Sequence, residues 1–508
     1  MYSRTRLLIN GGGILVGRVA PMVFTFLVTP IVIAVIGIDG FGAWETVLSF
    51  AIVCKLLQTS VAYSVLWLIS GAFGSGDHEG ALEYVRMGVF LTLISFITVT
   101  PTVWMFRQDI AEFLSLSELV QGIGPEILAW AVGVTLVGSV NDILNSFISG
   151  FQRSGAAAIV MSVSVILGNG VLVALLLNDI GLVSLLISYT TAACVAFIGL
   201  MAMSRRMLPS FTLLPKIPNG VVLRQGAPFA AFMAAGVLAS IFREQADKFV
   251  MAATASPAWA GYYGIAMRLA NLVLVVCGFL YVPTMSVVAA LKSGGEIEKI
   301  NRVYDDACTL TIVSVGLIVV VLSSVSERLT LLWIGQALPE VESMLLYMLG
   351  GITLAAVLTG GGTAICRGLG ILRIELGYIA ISLVLNVALK IVLVPHLGPI
   401  GTVIASYVSW GLASVVFIVA FHRVTKIDAG PSFRLALAII AGIICIAGAR
   451  LVGGLFPFSS GRLEQVLPIA LLASSVSGVY LAFLVVSGAV PRDVVKGAVR
   501  IGLKPFRP

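Results

Sequence analysis

The chain has 508 residues, of which 59% are hydrophobic and 11% charged, with a formal net charge of +7. Ordinary soluble domains carry about 25% charged residues, so the composition excludes a soluble enzyme or binding domain and describes a polytopic membrane protein. The positive balance is explained by membrane orientation and implies no nucleic-acid partner.

A bilayer-crossing helix needs about 20 apolar residues. Runs of that length recur near residues 7–36, 42–72, 83–106, 124–150, 156–178, 181–204, 224–254, 258–291, 303–325, 341–365, 373–395, 399–422, 433–455 and 465–488. The expected fold is therefore an all-α polytopic membrane protein of about fourteen transmembrane helices. Lys and Arg orient it. With both termini cytoplasmic, 21 of the 31 fall at cytoplasmic ends and loops, and four (Arg107, Arg328, Arg450, Arg462) on the other side. The first run is preceded by Arg4 and Arg6 but is too long for a signal peptide and contains Arg18, so it is read as a retained helix.

The first span contains Gly13 and Gly17, at a spacing that lets helices pack closely, then Arg18, Pro21 and Pro30. Arg18 lies about 17 Å from Leu7 along a helix, near mid-membrane. The second span carries Glu45 near its outer end and Lys55 about 20 Å from that end. The connection 107–123 is acidic and suits a short interfacial helix. Span four carries Asn141, Asp142 and Asn145, a polar face that suits a cavity lining, a cation site or interhelical hydrogen bonds. The stretch 205–223, with Pro209, Pro215, Pro218 and Gly220, reads as a cytoplasmic linker between bundles at 1–204 and 224–423. Residues 424–508 add spans thirteen and fourteen and a basic tail.

Span seven carries Arg243, Glu244, Asp247 and Lys248; Arg243 with Asp247 and Glu244 with Lys248 share faces at i,i+4 and are expected to pair. Arg268 in span eight has no acid within a helical turn. Gly360, Gly361 and Gly362 in span ten suggest a hinge or a tight crossing, and Lys390 in span eleven is another deep cation. Spans thirteen and fourteen carry no charge in their central thirds and look peripheral to a polar pathway. The halves repeat weakly and in order: Gly40-Phe41-Gly42 answers to Gly261-Tyr262-Tyr263, the stretch 150–155 to 366–370, and Ile187-Ser188-Tyr189 to Ala405-Ser406-Tyr407. Two six-helix bundles related by a parallel repeat, with two helices appended, are a known transporter construction.

His78, His396 and His422 are scattered, and the six cysteines stand singly, so neither a catalytic constellation, a metal site nor a disulfide framework is expected. No cofactor is expected. Ionisable residues inside a membrane cost roughly 2.5–3.5 kcal/mol each and mark functional sites by default. If the two pairs on span seven close, Arg18, Lys55, Arg268 and Lys390 exceed the remaining in-span acids Glu45 and Asp142, and a surplus of fixed positive charge favours a phosphate or pyrophosphate. The four residues of span seven would then form a gate or charge network, and Asp142 or Asp247 are candidates for ion coupling.

The segment Gly261-Tyr262-Tyr263-Gly264-Ile265-Ala266-Met267-Arg268-Leu269 after a charged span seven, the start of span one and the fourteen-span layout resemble the polysaccharide transporter flippases of the multidrug/oligosaccharidyl-lipid/polysaccharide exporter superfamily. The resemblance implies a V-shaped pair of bundles, alternating access, and as cargo a lipid-linked oligosaccharide on undecaprenyl pyrophosphate. It also implies a bacterial inner-membrane location among membrane lipids, with a polysaccharide polymerase and chain-length machinery as partners. Lipid II flippases of the superfamily carry an arginine-rich start to helix one, of which Arg18 alone stands here, and multidrug extruders usually have twelve spans and fewer buried cations.

Overall fold

The computed structural model describes residues 4–116, 123–217, 220, 245–293, 299–427, 431–453 and 463–487. All regular structure among them is helical: α1 (Arg4–Cys54), α2 (Leu56–Ser75), α3 (His78–Met105), α4 (Arg107–Phe113), α5 (Gly124–Gly150), α6 (Ser154–Leu176), α7 (Val183–Met207), α8 (245–254), α9 (Pro257–Ser293), α10 (Ile300–Ile334), α11 (Pro339–Leu369), α12 (Leu372–Thr425), α13 (Pro431–Gly453) and α14 (Val466–Val486). Eleven of these are long and apolar enough to cross a membrane.

Two of the helices are broken. Gly37 in α1 and Gly398 in α12 both leave the helical conformation for positive φ, a region that a residue without Cβ enters at no steric cost. Each break separates two arms at the boundary the apolar pattern gives. The second arm of α1 runs on into α2 through Lys55, whose N–H donates to the Ala51 carbonyl and whose carbonyl accepts from Thr59 N–H, both at 3.1 Å. Counted by arms, the described residues contain thirteen of the fourteen expected segments, α13 included, and the end of the seventh in α8; residues 224–244 of that span lie outside the described residues. The connection 107–123 holds the expected short helix, α4.

The chain divides into two compact units, residues 1–261 and 262–508. In the first, α1 packs on α6, and α5 is the central helix, touching α2, α3 and α7. The α1–α6 crossing uses the predicted glycines: a Cβ on Gly13 would come to 2.9 Å from the Gly155 backbone, and one on Gly17 to 2.6 Å from Ala158 Cβ. The core at one end of the unit joins Val65, Ile69, Val85, Ile143 and Phe147. Residues 208–217 are fastened to that end: Phe211 is buried against Phe147, Lys216 N–H donates to the Arg86 carbonyl, and Lys216 Nζ lies 2.7 Å from Glu83 Oε1.

In the second unit, α10 packs on α11, α13 and α14, and α11 packs on α12. The glycine run at 360–362 makes a tight crossing: a Cβ at Gly360 would overlap the Tyr281 hydroxyl, and one at Gly362 would meet Phe417 at 2.8 Å. Helix α11 continues through all three glycines, so the bends of the chain lie at Gly37 and Gly398 rather than here. The last two helices are firmly seated. Tyr480 of α14 points its hydroxyl into the space left by Gly316, Glu342 of α11 accepts from Arg450 of α13 at 2.8 Å, and buried Arg328 donates to Gln465 at 2.8 Å.

The repeat is visible in the packing of each unit. Ser188 donates to the Gly168 carbonyl across α6 and α7, and Asn386 donates to Ser406 across the arms of α12, twenty residues apart in each case and both at 2.8 Å. The interval that carries Ser188 to Ser406 and Gly168 to Asn386 also carries Thr135 to Thr353 and Gly150 to Gly368. Gly150 packs on Ile69, and Gly368 packs on Val288 in the same way.

A very close backbone approach in the first unit lies at Gly42, where a Cβ would overlap the Pro257 carbonyl oxygen. Gly42→Ala is expected to cost about 1–3 kcal/mol through overpacking. Gly138→Ala, with open space around it, should be neutral or raise stability by up to about 1 kcal/mol. Thermal melting of the purified variants in detergent reads both.

Candidate functional site

Charge in the first unit gathers on the second arm of α1, on α5 and on α8. The arm carries Glu45, Thr46 and Ser49 on a buried face; the two hydroxyls donate to carbonyls one turn back, at 2.9 and 2.7 Å, and so add no unpaired polarity to the interior. Glu45 receives Lys248 Nζ of α8 at 2.7 Å, with side-chain exposures of 9% and 14%. Next to Lys248, Asp247 is fully buried and Gln245 nearly so, the Gln245 side-chain oxygen having no hydrogen-bond partner among the described residues. Trp44, beside Glu45, meets the ring of Tyr189 edge-on, and Tyr189 in turn hydrogen-bonds Thr135 of α5 at 3.1 Å.

Deeper in the same unit, Lys55 Nζ lies 2.7 Å from Asp142 Oδ2. Lys55 is about 26 Å along the helix from Ile38, and Asp142 about 12 Å from the Gly150 end of α5. Asp142's neighbour Asn141 donates to the Ala193 carbonyl of α7 at 2.9 Å. One turn beyond Lys55, the Gln58 amide donates to Ser95 of α3, leaving its buried oxygen without a partner among the described residues. The Lys55 and Asp142 side chains are 21% and 29% exposed. A charge facing lipid alone at this depth would be costly, and here each member of the pair meets the other's charge.

These contacts revise the charge count of the sequence. Lys55 is not surplus, since Asp142 neutralises it, and Lys248 pairs with Glu45 of another helix. Arg243 and Glu244 lie outside the described residues, so their pairing with Asp247 and Lys248 does too. Arg18 lies in the first arm of α1, its side chain outside the description. Arg268 is half-buried in α9, beside buried Leu269 and Ala270, and Lys390 is half-buried in the first arm of α12, one turn from Asn386. Of the four expected head-group cations, Lys55 stands in the first unit, and Arg268 and Lys390 in the second. What sequence reasoning missed was Glu45 as a partner, the Gln58–Ser95 contact and the Asn386–Ser406 bond. The available signal was spacing: Gln58 follows Lys55 by three residues and Asn386 precedes Lys390 by four, each sharing a helical face with a deep cation. Among the described residues there is no group of His, Cys, Asp and Glu able to hold a metal ion.

Comparison with known proteins fixes the fold. The family profile described as MatE matches residues 14–175. A stretch of 129 residues is 26% identical to the probable multidrug resistance protein NorM of Rhizobium meliloti (strain 1021), covering 25% of this chain and 27% of that protein. The structure is similar to that of the lipid II flippase MurJ in an inward closed conformation, with a TM-score of 0.70 at 12% identity, over 94% of this chain and all of the other. It is also similar to an inward-facing multidrug resistance MATE family transporter of the MOP superfamily, with a TM-score of 0.60 at 17% identity, over 81% of this chain and 98% of the other. The helical arrangement is thus that of the MATE and MurJ transporters.

A buried ion pair costs much more to break on one side than to remove whole. Lys248→Met and Glu45→Leu are each expected to lower stability by about 3–5 kcal/mol, and the double variant to recover most of the loss. A double-mutant cycle of detergent-solubilised melting measures it; additive losses would mean that the pair does not form.

Proposed function

We propose that the chain moves an amphipathic, polyprenyl-pyrophosphate-linked glycan from the inner to the outer leaflet of a bacterial plasma membrane, the chemical class that includes lipid II and the repeat units of surface and secreted polysaccharides. The observation that carries this reading is the reach of the fold. The MurJ structure accounts for 94% of the chain, whereas the MATE structure accounts for 81%. The cargo's chemistry agrees with the polar residues inside the bundles. A pyrophosphate needs cations with donor groups to receive it, and Lys55, Arg268 and Lys390 are half-buried cations on three different helices. Arg18 belongs to the same set by its depth in α1. In this reading both termini are cytoplasmic, the residues of α8 form a charge network with α1, and a polysaccharide polymerase with its chain-length machinery acts on the product.

A second reading, a cation-coupled exporter of small amphipathic drugs, is favoured by one observation: Asp247 is wholly buried in α8, and a drug exporter depends on carboxylates more than on cations.

The two are separated by reconstitution. Liposomes containing the protein are expected to flip a fluorescent undecaprenyl-pyrophosphate oligosaccharide or lipid II. Arg268→Ala should slow this by about tenfold or more, a loss of about 1.4 kcal/mol or more in transition-state binding, while Asp247→Asn has a smaller effect. Export of ethidium that Asp247→Asn abolishes and Arg268→Ala spares would establish the exporter instead.

A further inference from the structure

The two units follow one repeat frame, and it shows which features of the first are not needed for folding. The interval that carries Ser188 to Ser406 and Gly150 to Gly368 places Gly360 where the first unit has Asp142. Ile69 against Gly150 answers to Val288 against Gly368, and fourteen residues before each, Lys55 answers to Leu274. The second unit therefore makes the same crossing without an ion pair. It fills the place with Tyr281, whose hydroxyl seats against Gly360 and donates to the Ala356 carbonyl at 2.9 Å. A neutral solution exists for this position, and the first unit instead keeps two charges at mid-helix, each partly exposed.

We propose that Lys55 and Asp142 form an exchange site, in which the anionic phosphate of the cargo takes Lys55 from Asp142 and the freed carboxylate takes up one monovalent cation in its place. This rests on the flippase reading and deepens it by joining anion binding to cation uptake in a single event. Charge balances: the pair is neutral when closed, and when open each member holds one counter-charge from outside. Exchange needs a pair that is accessible and singly bridged, and a direct contact of 2.7 Å at 21% and 29% exposure meets both conditions. By contrast, Lys248 and Glu45 are shut away at 14% and 9%. The buried, partnerless oxygen of Gln58, one turn from Lys55, offers a neutral ligand at the same level for a cation such as sodium. Of the other acids on α5 and the helices packed against it, Glu45 faces Lys248, Glu83 faces Lys216 and Glu126 faces Arg107, while Asp39, Glu79, Asp109 and Glu112 are exposed. Tyr189 faces Thr135. Lys55 is thus the charged group that meets Asp142.

The test is equilibrium binding of inorganic pyrophosphate to the full-length protein in detergent, with pH varied at fixed sodium and sodium varied at fixed pH. The parent is expected to bind more tightly as the coupled cation rises, proton or sodium being identified by the arm that responds. Lys55→Gln should weaken binding by about tenfold or more, and Asp142→Asn should tighten it by about tenfold and remove the cation dependence, as loss of a competing partner requires. Lys55→Met combined with Asp142→Leu copies the neutral second unit; it should melt like the parent, bind pyrophosphate about as weakly as Lys55→Gln and show no cation dependence, which shows that the single variants report on the site and not on folding. Absence of binding by the parent, binding indifferent to both cations, or no tightening in Asp142→Asn would overturn the exchange. Glycan flipping that Lys55→Gln leaves unchanged would remove the exchange and keep the flippase reading. The expected binding pattern with no flipping of any lipid-linked glycan would keep the exchange and remove that reading.

Discussion

A charge inside an apolar bundle must meet an opposite charge or water, and in the first unit this one requirement fixes how three helices stand. Helix α8 is held to the second arm of α1 by Lys248 on Glu45, and α5 to the same helix ten residues deeper by Lys55 on Asp142. Each bond sets rotation as well as distance. Turning α5 by one residue, about 100°, would carry Asp142 off Lys55 and bring its neighbour Asn141 off the Ala193 carbonyl. Close glycine contacts, such as Gly42 against Pro257, let the backbones come near enough for such short links. Polar pairing supplies the register and small residues supply the approach. Apolar packing supplies much of the bulk but little direction, because lipid is as apolar as the side chains it replaces.

The fold was legible because the signals it depends on are local. Run length gave the spans, and the breaks at Gly37 and Gly398 fell where the apolar pattern paused. The glycine run at 360–362 was readable as a crossing or a hinge, and only its neighbours decide between them: with Tyr281, Cys308 and Phe417 filling the missing Cβ positions, the helix has no room to bend there. The site was less legible. Lys248 binds an acid about two hundred residues earlier, a contact that no i,i+4 rule offers. Which helices are neighbours is a tertiary fact, and a single sequence carries no trace of it at Glu45 or Lys248. The same holds for Lys55, whose apparent surplus came from counting charges before their partners were known.

A repeat in which one copy has lost a feature is an internal control that no single bundle can offer. Both units keep the polar bond between the helices that bear Ser188 and Ser406, and both keep the glycine contact at Gly150 and Gly368. These are needed to build the frame and say nothing about cargo. The units part company at Lys55 and Asp142, answered by Leu274 and Gly360. Replacing a partly buried ion pair with a well-packed neutral arrangement is often neutral or stabilising by about 1–4 kcal/mol, and the second unit holds that arrangement in Tyr281. If stability alone governed the position, the first unit would be expected to hold a neutral solution too. That it retains two charges, close enough to bind each other and open enough to be parted, is the physical reason to place ligand chemistry there rather than at the better-buried pair between α1 and α8.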